Sequence, residues 1–142
     1  MLLREGVQTC YVGVDQNDTA CYMQWLIGPK ENMNFQRIFH GGFPWLEHDE
    51  ALLEDAFTPE SYRGLGIMSC AMAQIAERGK DINARYIITF VCDENIPSLK
   101  GCKRAGFVPY KLRRVKNCFL RRTITFTLLP EGTSYPFDIV QK

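Results

Sequence analysis

The sequence lacks several things that would decide its class at once. No apolar run approaches the ~20 residues that cross a membrane. The start, Met1-Leu2-Leu3-Arg4-Glu5, turns polar too soon for a secretory leader. The expectation is a cytoplasmic protein with no membrane partner. Histidine occurs only as His40 and His48, without metal-ligand spacing. The six cysteines, Cys10, Cys21, Cys70, Cys92, Cys102 and Cys118, form no Cys-x-x-Cys pair. That argues against a zinc knuckle or a dithiol redox motif, and no structural metal is expected. Most of these thiols sit in apolar runs, where free cysteine behaves as a small hydrophobe. No internal repeat, low-complexity tract or linker interrupts the chain. Its 142 residues, 46% hydrophobic and 23% charged, suit one globular domain spanning 1–142.

Net charge is only +1, but its placement is uneven. Nine basic residues and no acidic one lie between Lys100 and Arg122. Six acidic residues and no Lys or Arg lie between Glu47 and Glu60. Such runs are usually solvated faces, but here they flank an anion-binding motif, so steering of charged ligands enters the reading.

Periodicity gives the element order. Val7 to Val14 and Thr19 to Leu26 are β-rich, and Asp15-Gln16-Asn17-Asp18 between them is turn chemistry, so an antiparallel hairpin is expected. The segment 29–49 reads as an insert, with a short helix over Glu31 to Phe39 and a loop from His40 to Trp45. Ala51 to Thr58 reads as a strand closed by Pro59. Ile67 to Arg78 is helical, with Ile67, Cys70, Ala71 and Ile75 on one face and Gly79 suited to the C-terminal cap. Ala84 to Cys92 is nearly continuously apolar, as in a strand buried on both faces. Asn95 offers an N-cap, and Pro97 opens a short helix that ends at Gly106. Phe107 to Leu112 and Leu120 to Leu129 read as closing strands. A right-handed crossover must join the strands around Ala51 to Cys92, which predicts a mixed sheet in one layer with helices on its faces.

The run Tyr62-Arg63-Gly64-Leu65-Gly66-Ile67 stands where the third strand hands over to a helix. Two glycines there remove β-carbons at the helix mouth, so backbone N–H groups can face an anion that the helix dipole also favours. The run reads as a phosphate or pyrophosphate cradle, or as a tight turn that only packs helix on sheet. It is not a dinucleotide fingerprint, since Ser69 falls where the third glycine would be, and no Gly-Lys-Ser or Gly-Lys-Thr is present.

Taken with the segment Asn95 to Phe107, this run resembles the GNAT superfamily of acyl-CoA-dependent N-acyltransferases. In that family an Arg/Gln-x-x-Gly-x-Gly/Ala stretch binds the pyrophosphate of acetyl-CoA. An Asn starts the following helix, and Gly-Phe ends it. The match covers about Ala51 to Tyr110. It implies an α/β (α+β) fold, a GNAT-like mixed, mostly antiparallel sheet with a central parallel pair and helices on its faces. It also implies that the backbone of Phe57 and Thr58 pairs with the pantetheine arm. The N–H groups of Arg63, Gly64, Leu65, Gly66, Ile67 and Met68 would hold the pyrophosphate. Asn95 would face the pantetheine, and Lys103 or Arg104 would meet the adenosine-side phosphates. Chemistry would be direct attack of an amine on the thioester, with a base for the ammonium, an N–H for the carbonyl oxygen and an acid for the thiolate.

The chain departs from that pattern in three places. Met68 replaces the last small residue of the pyrophosphate motif, which is tolerable if its side chain points to the core. Cys102 stands where the family often has an acidic Tyr; a thiol of pKa ~8.5 can protonate a thiolate, but apolar packing is the plainer role. The family's opening strand and two helices have no counterpart in Met1 to Gly6. The insert, another subunit as in a homodimer, or a longer chain would then complete the acceptor side.

The base is sought on the third strand. Alternation places Asp55 with Ala51, Leu53 and Phe57, the face from which the base projects in the resembled family. Glu54 is the second candidate, because a one-residue bulge would exchange the faces. A carboxylate held partly dry is raised toward the working range, whereas the plain alternative is an ordinary surface acid.

Three functions follow. The first is acetyl-CoA-dependent N-acetylation of a small amine, with the acidic run attracting a cationic acceptor. The second is a non-catalytic CoA-binding or regulatory module. The third, a nucleic-acid binder using the basic run, is disfavoured: its charges spread over both faces of a strand pair, and Tyr110 and Phe119 are too few to stack bases. No nucleic-acid partner is expected.

Overall fold

A computed structural model describes Leu2, Val7, residues 9–118 and residues 121–138. The remainder of Met1 to Gly6, Gln8, Phe119, Leu120 and residues 139–142 lie outside the described residues.

The first hairpin forms as its turn chemistry dictates. Strand β1 (Cys10–Val14) pairs antiparallel with β2 (Ala20–Ile27). Asp15 closes the turn by accepting the N–H groups of Asn17 at 2.8 Å and Thr19 at 3.0 Å. Strand β3 (Glu50–Phe57) runs antiparallel to β2, and β4 (Tyr86–Thr89) runs parallel to β3. The sheet order is β1-β2-β3-β4.

Between β2 and β3 the insert folds onto one face of this sheet. Helix α1 (Asn32–Ile38) buries Phe35 and Ile38 against Trp25, Ile27, Leu52 and Ile88. The loop after it is held by Asn32, a buried amide that donates to the Leu46 carbonyl at 2.8 Å and accepts the Leu46 N–H at 2.9 Å. Gln36 donates to the Phe43 carbonyl at 3.0 Å.

The opposite face carries α2 (Ile67–Glu77) and α3 (Ile96–Arg104). Met72 and Ile75 of α2 and Cys102 of α3 pack there on Tyr22, Leu26, Ala51 and Leu53. Asn95 caps α3 as its position predicts, accepting the Ser98 N–H at 3.2 Å. The two helices touch where α3 has no side chain. A β-carbon at Gly101 would lie 3.1 Å from Met68 Sδ. Met68 therefore turns toward α3 and the core, the orientation expected for a large side chain at this position.

Four expectations need correction. The closing strands do not join the first sheet: β5 (Lys111–Cys118) and β6 (Arg121–Leu128) form a separate two-stranded sheet. Phe107 to Tyr110 precede β5 rather than forming it. The hairpin reaches the insert and the α1 face through side chains instead. Lys111 meets Glu50 at 3.4 Å, Arg113 lies over Phe43, and Phe126 meets Phe90 with ring centroids 5.8 Å apart. Second, β4 is consequently an edge strand. Only Ile88 in it is buried, and Tyr86 is 51% exposed. Third, Gly79 does not cap α2. It lies inside a 3-10 turn (Arg78–Ile82), and the left-handed residue that caps this turn is Asn83, φ 60°. Its role is close approach, since a β-carbon there would fall 2.5 Å from Ile87 Cδ1. Fourth, β3 does not alternate regularly to its end: it carries a bulge at Asp55.

The contact of α2 with α3 should be intolerant of bulk. Gly101→Val is expected to lower stability by about 1–3 kcal/mol through overpacking against Met68, read by urea denaturation. An unchanged midpoint would show that this contact does not fix the helix pair.

Candidate active site

The site begins where β3 and β4 part. Their pairing runs from Glu50–Tyr86 to Leu53–Thr89 and stops, while β3 continues to Phe57. The β3 edge from Glu54 onward therefore faces a cleft rather than a strand. On its other edge Trp25 pairs with Glu54 but Met23 pairs with Phe57, so β3 carries one residue more than β2 across this interval. The surplus is taken up at Asp55, whose φ is +55°, a left-handed conformation rare for a side-chain-bearing residue.

The cleft measures about 250 Å³. Leu53, Glu54, Asp55 and Ala56 form one wall; Thr89, Phe90, Val91 and Cys92 form the other. Met68 and Met72 of α2 and Asn95 and Ser98 of α3 complete it. The sequence pointed to four of these: Glu54, Asp55, Met68 and Asn95. Gln24 escaped it. This residue is 1% exposed, lines the cleft and accepts the Tyr22 hydroxyl at 2.8 Å. A lone amide within the apolar run Cys21 to Ile27 was the signal available.

The bulge separates the two acids. Asp55 is exposed, whereas Glu54 is half-buried. Loss of hydration raises the Glu54 carboxyl from about 4.5 to about 7. Asp55 acts both ways, its backbone hydrogen bond lowering the value and its charge raising it; the nearby charge of Arg113 also lowers it. Glu54 is thus the carboxyl poised to exchange a proton near neutrality.

Cys102 does not line the cleft. It is 3% exposed in the core beneath α3, and desolvation raises its thiol to about 11. The packing role weighed for it is the one its position fits.

The glycine run takes the shape its composition suggested. Gly64 and Gly66 both have φ of +78°, and no atom lies within 4 Å of a β-carbon built on either. Gly66 is the N-cap of α2, with no side chain bonded across the helix mouth. Among the described residues, no backbone carbonyl accepts from the N–H groups of Gly64, Leu65, Gly66, Ile67 or Met68. The Arg63 N–H differs: it donates to the Glu60 carbonyl at 3.1 Å and is not free for a ligand. The Arg63 side chain bonds the Thr58 carbonyl at 3.1 Å, which ties the loop to the end of β3. Five adjacent unpaired N–H groups at a helix N-terminus fit a pyrophosphate.

Of the two cations offered for the adenosine side, Lys103 is engaged by Asp138 at 2.8 Å. Arg104 reaches Ser69 Oγ at 3.5 Å, beside the first turn of α2, and so stands nearer the cradle. Phe57 adds backbone to the open β3 edge; Thr58 follows it with its carbonyl already taken.

The raised Glu54 has a measurable consequence. A carboxyl whose folded pKa exceeds its unfolded one favours folding below the unfolded value and loses that advantage as pH rises. Stability is therefore expected to fall between pH about 4.5 and about 7, by up to ~3 kcal/mol. Glu54→Gln should flatten that decline in thermal melts across pH. An identical slope in the variant would remove Glu54 as its cause.

No family profile matches the chain, and no curated protein matches it. Among solved structures it is similar to a putative phosphinothricin N-acetyltransferase, with 19% identity and a TM-score of 0.54. The likeness covers 86% of this chain and 72% of that one. At this identity it speaks of fold alone. The fold is GNAT-like and mixed α+β, with a mostly antiparallel sheet, one parallel pair and helices on both faces.

Proposed function

We propose that the chain is an acetyl-CoA-dependent N-acetyltransferase that acts on the amine of a small metabolite by direct attack on the thioester. The supporting observation is the meeting of two features at one cleft. One is an open strand edge where parallel pairing stops. The other is the run of unpaired N–H groups that opens α2, the helix whose Met68 lines the same cleft. The fold likeness to an N-acetyltransferase supports the same reading.

In this reading the N–H groups from Gly64 to Met68 bind the pyrophosphate, with Arg104 beside them. The β3 edge pairs with the pantetheine arm as an added strand would, and Asn95 orients it from the start of α3. Acetyl-CoA supplies the activated acyl group. Glu54 takes the proton from the incoming ammonium, and an N–H of the β3 edge holds the carbonyl oxygen as charge develops there. The C–N bond forms as the C–S bond breaks. With Cys102 sealed in the core, water at the mouth of the cleft carries to the departing thiolate the second proton that the nitrogen gives up on becoming an amide.

The second reading is a CoA-binding module without turnover. The burial of Cys102, which leaves no thiol acid at the cleft from α3, is the observation in its favour.

Calorimetric titration with acetyl-CoA tests the shared part. Saturable binding is expected, and Gly66→Val should weaken it ~10-fold or more, since the left-handed backbone costs about 1–2 kcal/mol with a β-carbon. No binding at millimolar coenzyme would sink both readings. Free-thiol release with an amine panel separates them. In the transferase reading kcat/KM climbs with pH through about 7, where Glu54 loses its proton. Glu54→Gln should abolish that limb and lower kcat by about 10²–10⁴. Coenzyme binding with no thiol released by any amine would leave the binding module.

A further inference from the structure

Gln24 is a buried polar residue at the cleft that the mechanism above does not use. It stands on β2 between Tyr22 and Leu26, which pack on the α2 face, so strand alternation gives its side chain that face. It is 1% exposed and still lines the cleft. Its companions in the lining include Leu53, Met68 and Met72, all apolar. Asn95, the other amide there, differs: it is exposed, and its oxygen is committed to the Ser98 N–H at 3.2 Å.

A glutamine amide has one acceptor oxygen and two N–H donors. The Tyr22 hydroxyl donates to Gln24 Oε1 at 2.8 Å in a buried bond. That bond fixes which end of the amide faces the cleft. Among the described residues, nothing accepts from Gln24 Nε2. A buried donor left unmet is costly, and native structures keep few of them. A donor pair pinned by its neighbour in a partly dry cleft is suited to receive an oxygen.

Strand register indicates which oxygen. Trp25 pairs with Glu54 and Met23 with Phe57, so Gln24 stands opposite the bulge at Asp55. Trp25 packs on the α1 face, and Glu54, its partner across the ladder, shares that face. The base and the amide donor therefore stand on opposite faces of the sheet, at adjacent positions along it, and both line one cleft. An amine deprotonated by Glu54 approaches from the α1 face. Coenzyme held at the mouth of α2 approaches from the other. The acetyl group between them carries one oxygen.

We propose that Gln24 is a catalytic donor, whose Nε2 holds the thioester carbonyl oxygen from the α2 face, alongside the N–H of the β3 edge. The proposal rests on the transferase reading. As the amine nitrogen adds to the carbonyl carbon, the C=O electron pair moves onto oxygen, where the two donors meet it. The pair returns as the C–S bond breaks. Gln24 neither gains nor loses a proton in this step. Because Tyr22 already fixes the amide, little reorganisation accompanies the charge.

Gln24→Met keeps the chain length and removes both donors. Its kcat is expected to fall about 10²–10³, with the acetyl-CoA Kd and the amine KM within about twofold of wild type. Infrared spectra of bound acetyl-CoA, carrying carbon-13 at the thioester carbonyl, read the bond itself. The carbonyl stretch should lie below that of free coenzyme in the wild type and move back toward it in Gln24→Met. Tyr22→Phe leaves the amide but unpins it, and should lose about tenfold in kcat and part of the infrared shift. Gln74→Met, the same exchange at an exposed position of α2, should change neither. A folded Gln24→Met with unchanged kcat, an unmoved carbonyl stretch, or a loss confined to KM would overturn the proposal. If Gln24→Met does not melt cooperatively, Tyr22→Phe decides in the same terms. If acetyl-CoA binds but no amine is turned over, the transferase reading fails by itself, and the infrared comparison still decides whether Gln24 holds the carbonyl. If the wild type binds no acetyl-CoA, both fall.

Discussion

The parallel ladder between β3 and β4 stops after Leu53 and Thr89, and the bulge at Asp55 follows within two residues. Those two features govern the site. Parallel strands that stay paired leave no backbone for a ligand, whereas strands that part expose one edge of each. The bulge adds a residue to β3 without adding one to β2, so side chains beyond it exchange faces. Glu54, still in register with Trp25 before the bulge, stays partly dry, while Asp55 in the bulge turns to water.

The helices serve this opening from the other side. Gly101 lets α3 approach Met68, which brings the start of α2 against the cleft. Met68 and Met72 are the residues by which α2 joins the cleft lining, next to the open strand edge of β3.

The β5–β6 hairpin shows why linear charge is a poor guide to a local field. Its basic residues are adjacent in sequence, but β structure sends alternate side chains to opposite faces. Lys111 and Arg113 turn toward Glu50 and Phe43. The acidic run is dispersed in the same way: Glu50 is paired, Glu54 is desolvated, and Glu47, Asp55 and Glu60 are exposed. On the α1 face the Arg113 guanidinium lies over Phe43, and its charge acts on Glu54 without a direct ion pair among the described residues.

Much of the local structure was legible because local physics determines it. Turn residues placed the first hairpin, the Asn95 cap and Pro97 placed α3, and the two glycines dictated a left-handed loop with free N–H groups. The mixed sheet with its parallel pair followed from element order and the handedness of crossovers. The bulge was legible only as an alternative, since nothing local to Glu54 and Asp55 fixes their register against β2. Apolar packing was already the plainer role for Cys102, whereas the separate hairpin and the edge position of β4 were not legible. Each depends on which residues meet across long stretches of chain. The sequence by itself determined where the backbone could turn, cap and leave donors free, because those are contests among neighbouring atoms. Only the tertiary structure decided which carboxyl is dry and which cation meets which acid, because desolvation and pairing depend on everything packed around a group.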